Sequence, residues 1–201
     1  MLQYPSIPSW RYVEHGRPCT AFYKYDGSNL RFEWSWKRGW YKFGTRTQMM
    51  DENTPIYGAA IPLFKQTMAE WIAQRCQHTF GKKLERIVAF AEWFGPSSFA
   101  GWHDENEKKQ LVLLDVSIFK KGVLPPDQFL KFFERADFCP KVIYKGVMDQ
   151  RFIDNVREGR YPVYEGVVCK GVDWNAKIKT VEYLDRLKKE NTEAWELMKD
   201  E

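Results

Sequence analysis

Ala21-Phe22-Tyr23-Lys24-Tyr25-Asp26-Gly27-Ser28-Asn29-Leu30-Arg31-Phe32 sets two runs of period-two alternation on either side of an Asp-Gly pair. In the first run Phe22, Lys24 and Asp26 alternate with Ala21, Tyr23 and Tyr25, the spacing that sends neighbours to opposite faces of a strand. In the second, Leu30, Phe32, Trp34 and Trp36 recur opposite Arg31, Glu33 and Ser35, so one strand face is apolar. Asp26-Gly27 is a hairpin-turn signal between them. Lys37-Arg38-Gly39 supplies a loop, and Trp40 to Phe43 returns as a partner strand. Residues 20–46 therefore read as β.

Downstream the period changes. Leu63, Phe64, Met68, Trp71, Ile72 and Cys76 keep three- and four-residue spacing, with Pro62 suited to a first turn and Gly81 to a helix end. Residues 86–93 and 110–119 read as buried strands, and 128–136 and 150–158 as short helices. Two more strands, 163–170 and 176–180, are joined by a turn through Gly171 to Asn175. In the tail, Val181, Leu184, Leu187, Trp195 and Met198 fall on one helical face. The pattern predicts an α+β protein, mainly antiparallel sheets with peripheral helices, and no linker divides it.

The 201 residues are enough for a full core, and 44% apolar with 29% charged is a water-soluble globular composition. Nothing approaches the ~20 apolar residues of a spanning helix, and Met1 to Trp10 is mixed and proline-broken, so neither a membrane span nor a secretory leader is expected. The four cysteines show no ligand spacing, which predicts reduced, mostly buried thiols in a cytoplasmic protein. A net charge of +4 suits a polyanion without requiring one, and the pairs Lys82-Lys83, Lys108-Lys109, Lys120-Lys121 and Lys188-Lys189 read as solvated edges. Nine Trp, ten Tyr and fourteen Phe are an excess that core packing absorbs. Arg31, Lys37, Arg38 and Lys42 on the aromatic hairpin could line a strand of nucleic acid.

Chemistry is concentrated in a few charged residues. Lys24, at a strand end before a glycine, is a candidate nucleophile. A lysine attacks only as the free amine, with an ordinary pKa near ~10.4, so it needs cations or desolvation to shed its proton. Lys177-Ile178-Lys179 supplies two cations on one strand face. Glu165 opens an apolar strand, and Glu92 closes another, where a buried carboxylate is costly unless paired.

Together these residues resemble the covalent nucleotidyltransferases, the superfamily of ATP-dependent polynucleotide ligases and mRNA capping enzymes. Lys24-Tyr25-Asp26-Gly27 is similar to motif I, Arg46 to the motif Ia arginine and Glu92 in Ala91-Glu92-Trp93-Phe94-Gly95 to motif III. Leu114-Asp115-Val116 is similar to motif IIIa, Glu165-Gly166-Val167-Val168 to motif IV and Lys177-Ile178-Lys179 to motif V. The order is kept over residues 20–180. Asn29, five residues after the lysine, resembles the phage T4 RNA ligase 2-like group, where DNA ligases and capping enzymes usually place arginine. The 22 residues after Lys179 have helical periodicity and are too few for an OB-fold's strands of ~5–6 residues each.

The resemblance implies an ATP-grasp-like nucleotidyltransferase (ligase) domain over residues 1–180, with 181–201 a helical tail and no OB-fold. It implies an ATP-dependent RNA ligase that forms a lysyl-AMP at Lys24 and seals 5′-phosphate to 3′-hydroxyl RNA ends, as in RNA repair. Catalysis would rest on Lys24, Glu165, Lys177 and Lys179. The nucleotide would also meet Asp26, Gly27, Asn29, Arg46 and Glu92, and Glu165 would hold Mg²⁺ or Mn²⁺. The segment Leu111-Val112-Leu113-Leu114-Asp115 departs from the family in offering no aromatic for the adenine. A monomer is expected, with a partner protein in place of a C-terminal domain. A DNA ligase, a GTP-using capping-type transferase and a non-catalytic nucleic-acid-binding relative stay open as alternatives.

Overall fold

The computed structural model describes residues 1–96, 98 and 103–198; residues 97, 99–102 and 199–201 and the side chains of Leu197 and Met198 lie outside the described residues. The chain divides into two compact units. One comprises Met1–Pro5, Gly27–Leu124 and Gln128–Cys139, and the other Ser6–Asp26, Pro125–Asp127 and Pro140–Glu201.

The first unit is built on a six-stranded antiparallel sheet. It contains β2 (Gly27–Ser35), β3 (Gly39–Thr45), β4 (Met49–Met50), β5 (Arg86–Phe94), β6 (Gln110–Ile118) and β7 (Gly122–Val123), in the order β4-β3-β2-β5-β6-β7. Its apolar face is the expected alternation: Leu30, Phe32 and Trp34 on β2 and Ile87, Ala89 and Ala91 on β5 are all buried. Against this face pack α1 (Ala60–Phe64), a π-helical stretch Lys65–Ala69, α2 (Glu70–Phe80) and α3 (Pro126–Phe133). Phe32 stacks on Phe64 with centroids 3.9 Å apart. Each such ring contributes about 1.5–3 kcal/mol through burial. Gly81, at φ 55°, ends α2 where the sequence placed a stop.

Strand β2 is central, so its other face is covered too: Arg31 is 5% exposed and Glu33 1%. Arg31 donates to the carbonyls of Met1 and Leu2. It is therefore no part of a nucleic-acid surface, because period two tells two faces apart but not which of them meets water.

The second unit holds a four-stranded antiparallel sheet of β1 (Arg17–Tyr23), β8 (Val142–Met148), β9 (Gly166–Lys170) and β10 (Asn175–Lys179), in the order β10-β9-β1-β8. Helix α4 (Gln150–Arg157), capped by Asp149 accepting from the Phe152 N–H, buries Phe152, Ile153 and Val156 against it. Helices α5 (Val181–Glu190) and α6 (Thr192–Met198) form the tail. After β10 the described residues contain only helices, so no OB-fold follows there. Among them, no helix is long and apolar enough to cross a membrane.

Asp26-Gly27 is not a hairpin. Strand β1 does not pair with β2; at this dipeptide the chain passes from one unit to the other. Gly27 is required by proximity rather than by a left-handed turn: a Cβ there would stand 2.5 Å from the Trp93 carbonyl oxygen across the β2–β5 ladder.

All four cysteines are free thiols. Burial pushes Cys76 up to about 12 from the ordinary 9.0. A thiol kept neutral this way stabilises the fold fully below pH 9.0, and that contribution is lost as pH rises towards 12. The thermal midpoint should therefore fall between pH 9 and 12, and less steeply in Cys76→Ala. Differential scanning calorimetry across that range checks this.

Candidate active site

Lys24 follows directly on β1, and its backbone N–H donates to the Gly166 carbonyl at 3.0 Å, which ties the end of β1 to the start of β9. Its ammonium meets Glu165 Oε1 at 2.8 Å. The same oxygen lies 3.6 Å from Lys179 Nζ on β10. Glu165 is 2% exposed and Lys179 4%, whereas the Lys24 side chain is 22% exposed. One buried carboxylate thus stands between two lysines, one of which opens to solvent.

Gly166 makes this approach geometric. Its φ is 145°, and a Cβ would run into the Ile178 carbonyl oxygen of β10. Any larger residue would push β9 from β10 and separate Glu165 from Lys179. The residues before it do not join the ladder: Thr180 Oγ1 donates to the Tyr164 carbonyl and its N–H to that of Glu165. Strand β9 therefore begins at Gly166, three residues later than the apolar run suggests.

Glu165 Oε2 is buried and has no hydrogen-bond partner. That is the condition of an atom awaiting a ligand, since an orphaned buried carboxylate oxygen costs several kcal/mol by order of magnitude. A hard divalent cation such as Mg²⁺ or Mn²⁺, which takes few protein oxygens and completes its shell with water and phosphate, fits a single carboxylate oxygen of this kind. No cluster of three or more His, Cys, Asp or Glu able to hold a metal occurs among the described residues.

Lys177 lies opposite Val168 on the β9–β10 ladder, half-buried, and its N–H donates to the Pro8 carbonyl at 2.9 Å. Asp26 is 8% exposed and accepts from the Tyr183 hydroxyl at 3.4 Å. Tyr183, on α5, is fully buried; its ring stands edge-on to Tyr164 and 5.5 Å from Lys179 Nζ. Burial, then the charges of Glu165 and Asp26, hold its phenol far above the ordinary 10.0. Sequence reading missed Tyr183 because the tail's apolar face was traced through Val181, which is 40% exposed. Thr180 caps α5 by accepting from the Tyr183 N–H and turns Tyr183 and Leu187, four residues apart, inward. The readable signal was a threonine before a helix whose third residue is aromatic.

The remaining candidates belong to the first unit. Asn29 and Glu92 are direct cross-strand partners on β2 and β5. Both amide atoms of Asn29 are buried without a hydrogen-bond partner, a donor and an acceptor held ready on the strand. Arg46 follows β3 and is exposed. A second missed residue, Tyr4, is buried and donates a short hydrogen bond to the buried Asp115 on β6. Burial first, then Asp115 and Glu92, hold the Tyr4 phenol well above 10.0, while Arg46 opposes the shift. Glu92, Arg46 and Asp115 are thus each an electrostatic neighbour of Tyr4. Within each unit the predicted residues converge: Lys24, Glu165 and Lys179 in one, Asn29, Glu92 and Arg46 in the other.

The two antiparallel sheets with few helices make a fold similar to that of solved RNA ligase structures. Similar solved structures include those of a Naegleria gruberi RNA ligase. A mutant in apo form is 12% identical, with a TM-score of 0.71 over 94% of this chain and 58% of that one. The enzyme with pyrophosphate is 13% identical, with a TM-score of 0.70 over the same shares. A mutant with ATP and manganese is 13% identical, with a TM-score of 0.71 over 93% of this chain and 58% of that one. At such identity the likeness speaks for the fold, and the chain spans 58% of the length of these proteins. No family model and no curated protein matches the chain.

Proposed function

We propose that the chain is an ATP-dependent RNA ligase whose nucleophile is Lys24. The observation that carries this reading is the buried Glu165 carboxylate between Lys24 and Lys179, with its second oxygen unpartnered. The ordered motifs, and a fold like that of a mutant RNA ligase solved with ATP and manganese, support it.

In this reading both units make up one adenylyltransferase domain over residues 1–180, with 181–201 as a helical tail. The Lys24 amine, having lost its proton, attacks the α-phosphorus of ATP; the bond to the bridging oxygen breaks and pyrophosphate leaves, giving lysyl-AMP. The AMP then passes to the 5′-phosphate of an RNA end, releasing neutral Lys24, and a 3′-hydroxyl displaces AMP to seal the strand. Lys177 and Lys179 neutralise the phosphate oxygens as charge builds and disfavour an ammonium at Lys24. Glu165 holds Lys24 in place before attack and, through Oε2, would hold Mg²⁺ or Mn²⁺, which supplies charge neutralisation at the phosphates. Asp26 and Gly27 line the nucleotide beside Lys24. Glu92 accepts from the ribose hydroxyls, while Asn29 and Arg46 contact the ribose–phosphate side or the incoming end. The protein would act as a monomer in phage-like RNA repair, together with a partner protein.

Supplied with nicked duplexes, ATP and Mg²⁺, the protein is expected to seal an RNA 3′-hydroxyl at the nick and to leave an all-DNA nick largely open. Labelling with GTP instead of ATP, or preferential DNA sealing, would move the reading to a capping-type transferase or a DNA ligase. RNA binding without any covalent nucleotide would leave a non-catalytic relative.

A further inference from the structure

One end of the six-stranded sheet carries an alternation of cations and rings that the proposed chemistry does not use. Arg38 Cζ lies 5.1 Å and Lys42 Nζ 5.4 Å from the Tyr41 ring centroid. Tyr41 is fixed by donating to the buried Glu33 at 2.5 Å. That bond is the main reason its phenol is raised, and Arg38 and Arg86 are both close enough to oppose the shift. Arg86 Cζ in turn stands 4.5 Å from the Phe119 ring, and Lys120 Nζ 5.1 Å from it. Phe119 is 38% exposed and its N–H donates to the Arg86 carbonyl.

The strand register explains why these residues meet. Ser35, at the end of β2, faces Arg86 at the start of β5, and Ile87 faces Ile118 at the end of β6. The β2–β3 loop and the residues after β6 therefore emerge at the same end of the sheet. At ~4.8 Å per strand, the strip from β3 to β6 crosses roughly 14 Å. It lies about 20 Å along β5 from Glu92, at a rise of ~3.3 Å per residue. Arg38, Lys42, Arg86 and Lys120 face two carboxylates, the buried Glu33 and Glu85, which pairs with Lys120 at 3.0 Å. Lys37 and Lys121 flank them, so the strip keeps a positive balance.

We propose that this strip, Arg38-Tyr41-Lys42 with Arg86-Phe119-Lys120, is a docking surface for single-stranded RNA, separate from the residues that handle the nucleotide. Cations spaced between ring faces match a chain of phosphates spaced between bases, and guanidinium planes stack on bases as rings do. An acidic peptide would use the cations but leave the rings without a planar partner. The choice of RNA over DNA rests on the proposed ligase function; the docking surface itself does not.

Fluorescence anisotropy with a labelled single-stranded oligouridylate, titrated at several salt concentrations, tests it. The double variant Arg38→Ala, Lys42→Ala should bind about tenfold more weakly, with a salt slope shallower by roughly 1.4, since each lost phosphate contact removes ~0.7. Phe119→Ala should also weaken binding about tenfold but keep the wild-type slope, because stacking releases no counterions. Thermal midpoints and AMP labelling should match wild type in both variants. RNA affinity unchanged in both variants would overturn the proposal, as would a labelled acidic peptide whose affinity falls in parallel with that of RNA. If wild type forms no AMP adduct while binding still depends on Arg38, Lys42 and Phe119, the ligase reading fails and the docking surface stands.

Discussion

Intact-mass measurement after incubation with ATP and Mg²⁺ is expected to show the wild-type chain gaining one AMP, acid-labile as a phosphoramidate is, and Lys24→Ala gaining none. The contrast should be complete, because Lys24 combines an opening to solvent with a buried carboxylate at 2.8 Å. Lys24→Ala should stay folded: Glu165 keeps Lys179 at 3.6 Å as its counter-charge, and the lost side chain was 22% exposed. Lys24→Arg sharpens the test. A guanidinium preserves the ion pair with Glu165 but does not shed its proton, so this variant should fold like wild type and remain unlabelled. An adduct on Lys24→Ala would remove Lys24 from the mechanism. No adduct on wild type with ATP or GTP, and with either Mg²⁺ or Mn²⁺, would remove the mechanism itself.

Glu165→Ala should be the costliest single change. It takes away the carboxylate oxygen 3.6 Å from Lys179, a side chain only 4% exposed, and breaking a buried pair on one side costs about 3–5 kcal/mol. For a chain of this length that is a thermal midpoint lower by on the order of 10 °C. Adenylylation should fall with it, by roughly 10²-fold or more, as for the loss of a preorganised charge. Glu165→Gln separates the two effects, since it keeps the shape and one acceptor but removes the charge. It should recover part of the stability and little of the labelling. A thermal midpoint for Glu165→Ala within a degree of wild type would show that the buried pair contributes nothing to the fold.

The sheet of the first unit was legible because β2 and β5 bury one face completely, and a buried face writes itself as period two. The candidate site residues were legible where an unusual residue stands at a strand end: Glu92 after an apolar run, Glu165 before one, two lysines two apart. What escaped was set by contacts distant in sequence. Strand β8 has the mixed composition of an edge, with Gly146 in its middle, and only its pairing with β1 makes it a strand. Asp26-Gly27 has the composition of a hairpin, yet Gly27 is there because the Trp93 carbonyl leaves no room for a Cβ. Tyr183 and Tyr4 are aromatics among many, and nothing local distinguishes a ring that ends on a carboxylate from one that fills a core. Arg31 looked like solvent-facing charge until the Met1 and Leu2 carbonyls took its donors.

Strand β1 emerges early from the ribosome, yet its neighbours in the sheet are β8 and β9, with Cys19 opposite Gly146 and Ala21 opposite Cys169. At ~5–20 residues per second, β1 waits about 6–30 s for those partners to be made. Until then its backbone donors and acceptors have no sheet to join, and the nucleophile at its end has no Glu165 beside it. The six-stranded sheet waits less, since even its longest-range ladder, β2 with β5, joins Gly27 to Phe94 and Ser35 to Arg86. The last strand of the six-stranded sheet, Gly122–Val123, is made before Glu165, and the lysine acquires its electrostatic setting only once Glu165 and Lys179 have been made. A ribosome stalled short of Glu165 would carry a chain unable to label itself.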